Sequence, residues 1–228
     1  MERIEKHGTS DRRRFLGAAA VGMAGLALPA RLGHSGGSVF SMLSPAPTAI
    51  APGTAPLLNA ADMPRLLPRA LAALDRHSGT IPNRDLIGIV DFAEPSRDPR
   101  FHLVDLTRGK FDTHLVAHGQ GSDPAASGWV ERLSNQPNSN ASCRGAFLVG
   151  ETYSGKHGRS RRLVGLDSEN SEALDRGIVI HAASYVDQRM ARDQGRIGRS
   201  QGCFAVAPSV IGQVLERLGP GRMLFAWK

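Results

Sequence analysis

Aromatic side chains make up only 5% of this 228-residue chain, and cysteine occurs twice. The basic residues show no interleaving with aromatics, which speaks against a nucleic-acid-binding surface of the base-stacking kind. Two cysteines cannot staple a small disulfide-rich scaffold. There is no His-Glu-x-x-His or Cys-x-x-Cys run, so the usual compact zinc-ligand spacings are missing. Acidic residues are outnumbered, with 21 Asp and Glu against 28 Lys and Arg, for a formal charge of +7. Long apolar runs are missing too. The stretch Gly17 to Leu28 is twelve residues of Ala/Gly-rich, weakly apolar sequence, too short to span a bilayer.

That short run nevertheless carries an address. It follows Arg12-Arg13-Arg14-Phe15-Leu16, a twin-arginine pattern, and precedes Leu28-Pro29-Ala30, which ends in a small residue suited to cleavage. Residues 1–30 are therefore expected to be a twin-arginine export signal, delivering the protein to the periplasm or cell envelope. An uncleaved membrane anchor is the competing reading, and any membrane contact is expected only through this segment. Five cations and three anions leave with the signal, so the mature chain keeps a charge of +5. A basic exported protein suits an anionic polymer better than nucleic acid.

Residues 31–59 are rich in Gly, Pro, Ser and Ala without periodicity and read as a flexible linker. Residues 60–228 are expected to form one folded domain. A helix is expected over 62–78, with Asp62 as N-cap, an apolar face of Leu66, Leu67, Ala70, Leu71 and Leu74, and a kink at Pro68. Strands are expected at 86–92, 101–106, 114–117, 146–149, 162–166, 178–182, 204–207 and 223–227. The run Arg108-Gly109-Lys110 reads as a hairpin turn, 119–145 as a long loop, and 208–218 as a second helix. Many short strands with two helices indicate a mainly β, α+β domain.

The chemistry concentrates in Ile178 to Pro208. His181 ends an apolar strand-like run, and Cys203 follows a Gly/Ser/Arg-rich turn 22 residues later. An imidazole that takes a proton and a thiol that attacks a carbonyl are the minimum for thiol acyl transfer. Either residue alone would more often be structural; together they point to a nucleophile and its base. Gly202 is expected to keep the approach to the thiol open, and Ser200 to shape the turn. The Cys203 N–H, with Gly202 or a neighbour, would form an oxyanion hole. Zinc ligation by His157, His181 and Cys203 fits poorly, because their spacings match no compact ligand pair.

The run His181…Ser200-Gln201-Gly202-Cys203 resembles the signature of the L,D-transpeptidase, or YkuD-type, family, in which His is followed after about twenty residues by Ser-x-Gly-Cys. Gly155-Lys156-His157-Gly158 and His181-x-x-x-Tyr185-Val186 are similar to runs of its murein L,D-transpeptidase catalytic-domain branch. The resemblance covers roughly residues 85–228 and implies a YkuD-like β-rich fold. It also implies acyl transfer through a Cys203 thioester with His181 as base, no cofactor and no metal. Peptidoglycan stem peptides would be the substrate, with an envelope protein as a further acyl acceptor. It places Tyr153, Lys156 and His157 in the substrate cleft, though a solvated basic turn is an equal reading. A backbone carbonyl near the cysteine, from Ser200 or Gln201, would orient the imidazole. Many relatives carry an arginine two residues after the cysteine, where this chain has Ala205; Arg199 is the local candidate to bind a substrate carboxylate instead, with a residue that only solvates the turn as the other reading. Papain-like enzymes place Cys before His, and sortases carry a Thr-Leu-x-Thr-Cys strand that is absent here. A non-catalytic envelope module that binds peptidoglycan is the alternative of a different class. Two cysteines in an exported protein would by default pair; the enzyme-like context of Cys203 and folding in the reducing cytoplasm before twin-arginine export favour a free Cys203 and an unpaired, buried Cys143.

Overall fold

The computed structural model describes residues 63–228; the expected signal (1–30) and linker (31–59) lie outside the described residues. The first helix, α1 (Leu67–Arg76), is shorter than the 62–78 expected. Its N-cap is Leu66 rather than Asp62, and Pro68 sits in its first turn. An N–H there has no intrahelical partner to lose, so the expected kink does not arise. The buried face is Leu67, Ala70, Ala73 and Leu74, while Leu71 turns to solvent. Fully burying each of those leucines contributes about 1.5–3 kcal/mol.

Eight strands follow: β1 (Leu86–Asp91), β2 (Phe101–Asp105), β3 (Lys110–His114), β4 (Gly145–Gly155), β5 (Gly158–Gly165), β6 (Val179–Ala182), β7 (Phe204–Val206) and β8 (Met223–Trp227). They form one mixed sheet in the order β3-β2-β1-β8-β4-β5-β6-β7. The β1–β8 and β6–β7 pairs are parallel and the rest antiparallel. With the helices α2 (Gln188–Gln194) and α3 (Ile211–Arg217), this is the mainly β, α+β domain expected.

Two expectations need correction. The strand expected at 114–117 lies instead at 110–114, because the Arg108-Gly109 turn pairs Asp105 with Lys110 and starts the return strand at once. As a largely solvated edge strand it carries little apolar signal. Residues 114–117 then leave the ladder, and Ala117 makes a single bridge to Ala205 of β7, so the sheet curls until its two edges nearly meet. The second correction is α2, which is absent from the expected elements because only Ala191 in it is buried. Its caps were the available signal: Asp187 accepts from the N–H groups of Arg189 and Met190, and Gly195 ends it in the left-handed region.

β1 is buried on both faces. Leu86 and Val90 point into a core with Phe92, Phe101, Phe147 and Phe204, closed by Val214, Leu215 and Leu218 around α3. Ile87 and Ile89 point the other way, onto α1. These two layers make a rigid frame, and β6 and β7 stand at its far edge.

Candidate active site

In the β6–β7 pair Ile180 faces Phe204 and His181 faces Ala205. Side chains alternate between faces along a strand, so Cys203, two residues before Ala205, shares a face with His181. Both side chains line a cleft of about 770 Å³. Tyr153, Lys156, His157, Arg199, Ser200 and Gln201 line it as well, so the structure gathers all but one of the expected site residues.

The imidazole of His181 is almost fully buried. Its Nδ1 lies 2.9 Å from the Ala182 carbonyl. Donation to that carbonyl puts the proton on Nδ1 and leaves the Nε2 lone pair free to accept one. The orienting carbonyl is therefore that of the next residue in β6, not of Ser200 or Gln201, whose turn is held by other bonds. Burial pushes the His181 pKa below its ordinary value, and the charges of His157 and Lys156 push the same way against the Ala182 hydrogen bond. The ring is thus neutral at neutral pH.

Burial pushes the Cys203 thiol up, and the Val179 N–H, Lys156 and Arg176 oppose that only in part. The thiol is protonated at rest and needs a base. Its Sγ contacts the Gly177 carbonyl at 3.6 Å, and no hydrogen bond joins it to His181.

The turn before the cysteine is locked by Ser200. Its Oγ donates to the Cys203 carbonyl at 2.7 Å and accepts from the Gly202 N–H at 3.1 Å. Gly202 departs from expectation twice. It is buried and does not line the cleft, so it is not the residue that clears the substrate's path. Its φ of +114° and the 2.8 Å that a Cβ would have to Ala141 O and to Ile178 Cδ1 are what demand glycine. Its N–H is also already bonded, to Ser200 Oγ.

A family model described as L,D-transpeptidase catalytic domain matches residues 61–227. The chain belongs to the L,D-transpeptidase catalytic-domain family. Among solved structures, it is similar to an L,D-transpeptidase from Mycobacterium smegmatis at 13% identity and a TM-score of 0.39, over 63% of this chain and 59% of that one. For L,D-transpeptidase 1 from Mycobacterium tuberculosis the values are 12%, 0.35, 62% and 60%. For an L,D-transpeptidase from Stackebrandtia nassauensis they are 17%, 0.38, 63% and 56%. This chain thus spans about three fifths of the length of the structures it matches. No curated protein matches it.

The walls of this L,D-transpeptidase-family cleft carry residues that sequence reasoning missed. Arg176 lines it and donates to the carbonyls of Ser134 and Ala141 and to Ser139 Oγ, tethering the segment that brings Asn138 and Asn140 to the cleft. Both asparagines have positive φ, at 61° and 51°. Nothing local marks an arginine that reaches back to residues 134–141. The two tyrosines of the chain, Tyr153 and Tyr185, both face the cleft. His157, at the tip of the β4–β5 hairpin, stacks on His181. Lys156, Arg176 and Arg199 outnumber Asp175, so the cleft is positive. Ala205 is fully buried, paired with His181 in β6 and bridged to Ala117. Cys143 is unpaired and buried, its thiol pushed up to about 11 by burial.

Proposed function

We propose that this chain is a cysteine acyltransferase acting on peptidoglycan stem peptides, working as an L,D-transpeptidase and, with water as acceptor, as an L,D-carboxypeptidase. The observation that carries the reading is the placement of His181, with Nε2 free, and Cys203 on one face of two adjacent parallel strands at the wall of a positive cleft. His181 Nε2 takes the thiol proton as Sγ attacks the carbonyl of the L-centre, a diamino acid, in a tetrapeptide stem. The Cys203 N–H faces the developing oxyanion. The imidazolium then protonates the leaving amine, so the C–N bond breaks, D-Ala departs and a thioester remains. An amine from a second stem or from an envelope protein attacks next, or water does. His181 accepts its proton and returns it to the departing thiolate. Arg199 and Lys156 supply the cations for substrate carboxylates, with no cofactor in any step.

The site of action proposed is the periplasm or cell envelope, reached by twin-arginine export; Arg12 to Leu16, which carry that proposal, lie outside the described residues. A second reading, a non-catalytic module that binds peptidoglycan, draws on the resting contact of Sγ with the Gly177 carbonyl rather than with His181. Mass spectrometry of tetrapeptide stems incubated with the protein separates the two. Loss of D-Ala or a cross-linked product is expected, together with covalent labelling of Cys203 by a carbapenem. Stems that bind but come back intact, with Cys203 unlabelled, would establish the second reading.

A further inference from the structure

Three ionisable side chains with no part in the thiol chemistry lie behind the nucleophile turn. Arg100, His118 and Asp123 are all completely buried. Arg100 Nη2 donates to His118 Nδ1 at 2.7 Å, and His118 Nε2 donates to Asp123 Oδ2 at 3.2 Å. A cation and an anion are thereby joined through a neutral imidazole. The other valences are filled. Arg100 also donates to the carbonyls of Glu94 and Val116, and Asp123 accepts from Ser127 N and Oγ and from Gly128 N. Apolar side chains of equal volume would hold a core as well, since buried ion pairs repay their desolvation poorly. What a satisfied polar network adds is direction.

The segment so directed, residues 118–123, is bonded to the turn that carries the cysteine. Ser200 N donates to the His118 carbonyl at 2.9 Å, and Gln120 N to the Ser200 carbonyl at 2.8 Å. The Arg199 guanidinium donates to the Asp123 carbonyl. Ser142 adds a link: its Oγ accepts from Gly119 N at 3.0 Å and donates to the Gly202 carbonyl at 3.1 Å. The contact is so close that a Cβ on Gly119 would lie 2.8 Å from Gly202 N. Between β3 and β4 the chain has only a 3-10 turn at Gln120–Ser122 for regular structure, so no ladder holds this segment in place.

We propose that Arg100, His118 and Asp123 form a positioning relay that sets the Ser200–Cys203 turn, and through it the place of the thiol and the Cys203 N–H. None of the three lines the cleft, so they act through the turn and not on substrate. The inference rests on the acyl-transfer reading for what the turn does, but not for how the turn is held.

The test compares His118→Phe, His118→Gln and Ser142→Ala with the unaltered full chain, well below each unfolding temperature. Three readouts are taken: kcat and KM on tetrapeptide stems, the pH profile of Cys203 alkylation by iodoacetamide (followed on the Cys203 peptide), and the unfolding temperature. A displaced turn changes the burial of the thiol as well as its approach to the Val179 N–H and Arg176, which together set its protonation. Under the relay, His118→Phe and Ser142→Ala shift the alkylation midpoint and lower kcat on the order of 10- to 100-fold with KM little changed. His118→Gln, which keeps one acceptor and one donor, recovers most of both. A lowered unfolding temperature with kcat and alkylation profile unmoved would overturn the proposal. Should His118→Phe fail to fold, Ser142→Ala decides, because it removes a link and leaves the core filled. Shifted alkylation in a protein that never turns over stems would support the relay and sink the acyl-transfer reading.

Discussion

His157 lies flat on His181, with ring centroids 4.2 Å apart and planes inclined by 25°. A residue at an exposed hairpin tip therefore covers one face of the His181 imidazole and helps to keep it neutral. Removing that cover in His157→Ala should let the His181 pKa rise towards its ordinary value of about 6.5. The acid limb of kcat/KM should then move to higher pH, with activity lost near pH ~6 and largely kept near pH ~8. A pH–rate profile of the variant measures this, and an acid limb that stays put would show that the stack does not tune the base.

The two members of the pair should fail differently. Cys203→Ala removes the nucleophile, and release of D-Ala should vanish at every pH while stem-peptide binding persists. His181→Ala keeps a thiol whose pKa lies above the usual range. Its turnover should be very low at neutral pH and recover in part as pH rises, when hydroxide takes over deprotonation. Near-normal turnover of His181→Ala at neutral pH would pass the role of base to His157.

Gly202→Ala is expected to damage the turn from within. The new Cβ would meet Ala141 O and Ile178 Cδ1 at 2.8 Å, at a φ of +114°. Such strain costs on the order of 1–3 kcal/mol, read as a lower unfolding temperature together with slower Cys203 alkylation. If Gly202 served only to admit substrate, stability would be unchanged and KM alone would rise.

Acid should weaken the fold through His118. Burial first, and then the Arg100 charge, lower its pKa to about 4 against the opposing hydrogen bond and charge of Asp123, with Arg199 adding to the lowering. The unfolded chain takes up this proton near pH ~6.5 and the folded one only near 4, so stability falls as pH drops between those values. The loss from this residue is at most on the order of 3 kcal/mol. Unfolding temperatures measured across that window should drop less steeply in His118→Gln, which has no proton to gain. Equal slopes in both proteins would refute the assignment.

Oxidation state gives a further check. Cys143 is buried and Cys203 open to the cleft, and both are free. Active protein should have the mass of the fully reduced chain, and Cys143→Ser should retain most activity. A mass lower by about 2 Da in active enzyme, the loss of two hydrogens to a bridge, would contradict this.

Whatever depends on neighbours along the chain was legible in the sequence. Most of the strands show as short β-prone runs between turn residues, and the Arg108-Gly109-Lys110 turn and the His181–Cys203 pair stand out in the same way. Pro68 was misjudged only because its position within the helix, not its presence, decides whether it kinks. The tertiary structure decided the rest. It made β6 and β7 parallel neighbours, so that His181 and Cys203 face one cleft. It also set Arg176 against residues 134–141 and put Ser142 against Gly202, 60 positions further on. It buried Arg100, His118 and Asp123 together behind the turn. A directional bond between distant residues leaves no periodicity in sequence, since each partner alone looks like an ordinary polar residue in a loop. Only the folded sheet, by bringing their donors and acceptors within 2.7–3.2 Å, gives those residues their roles.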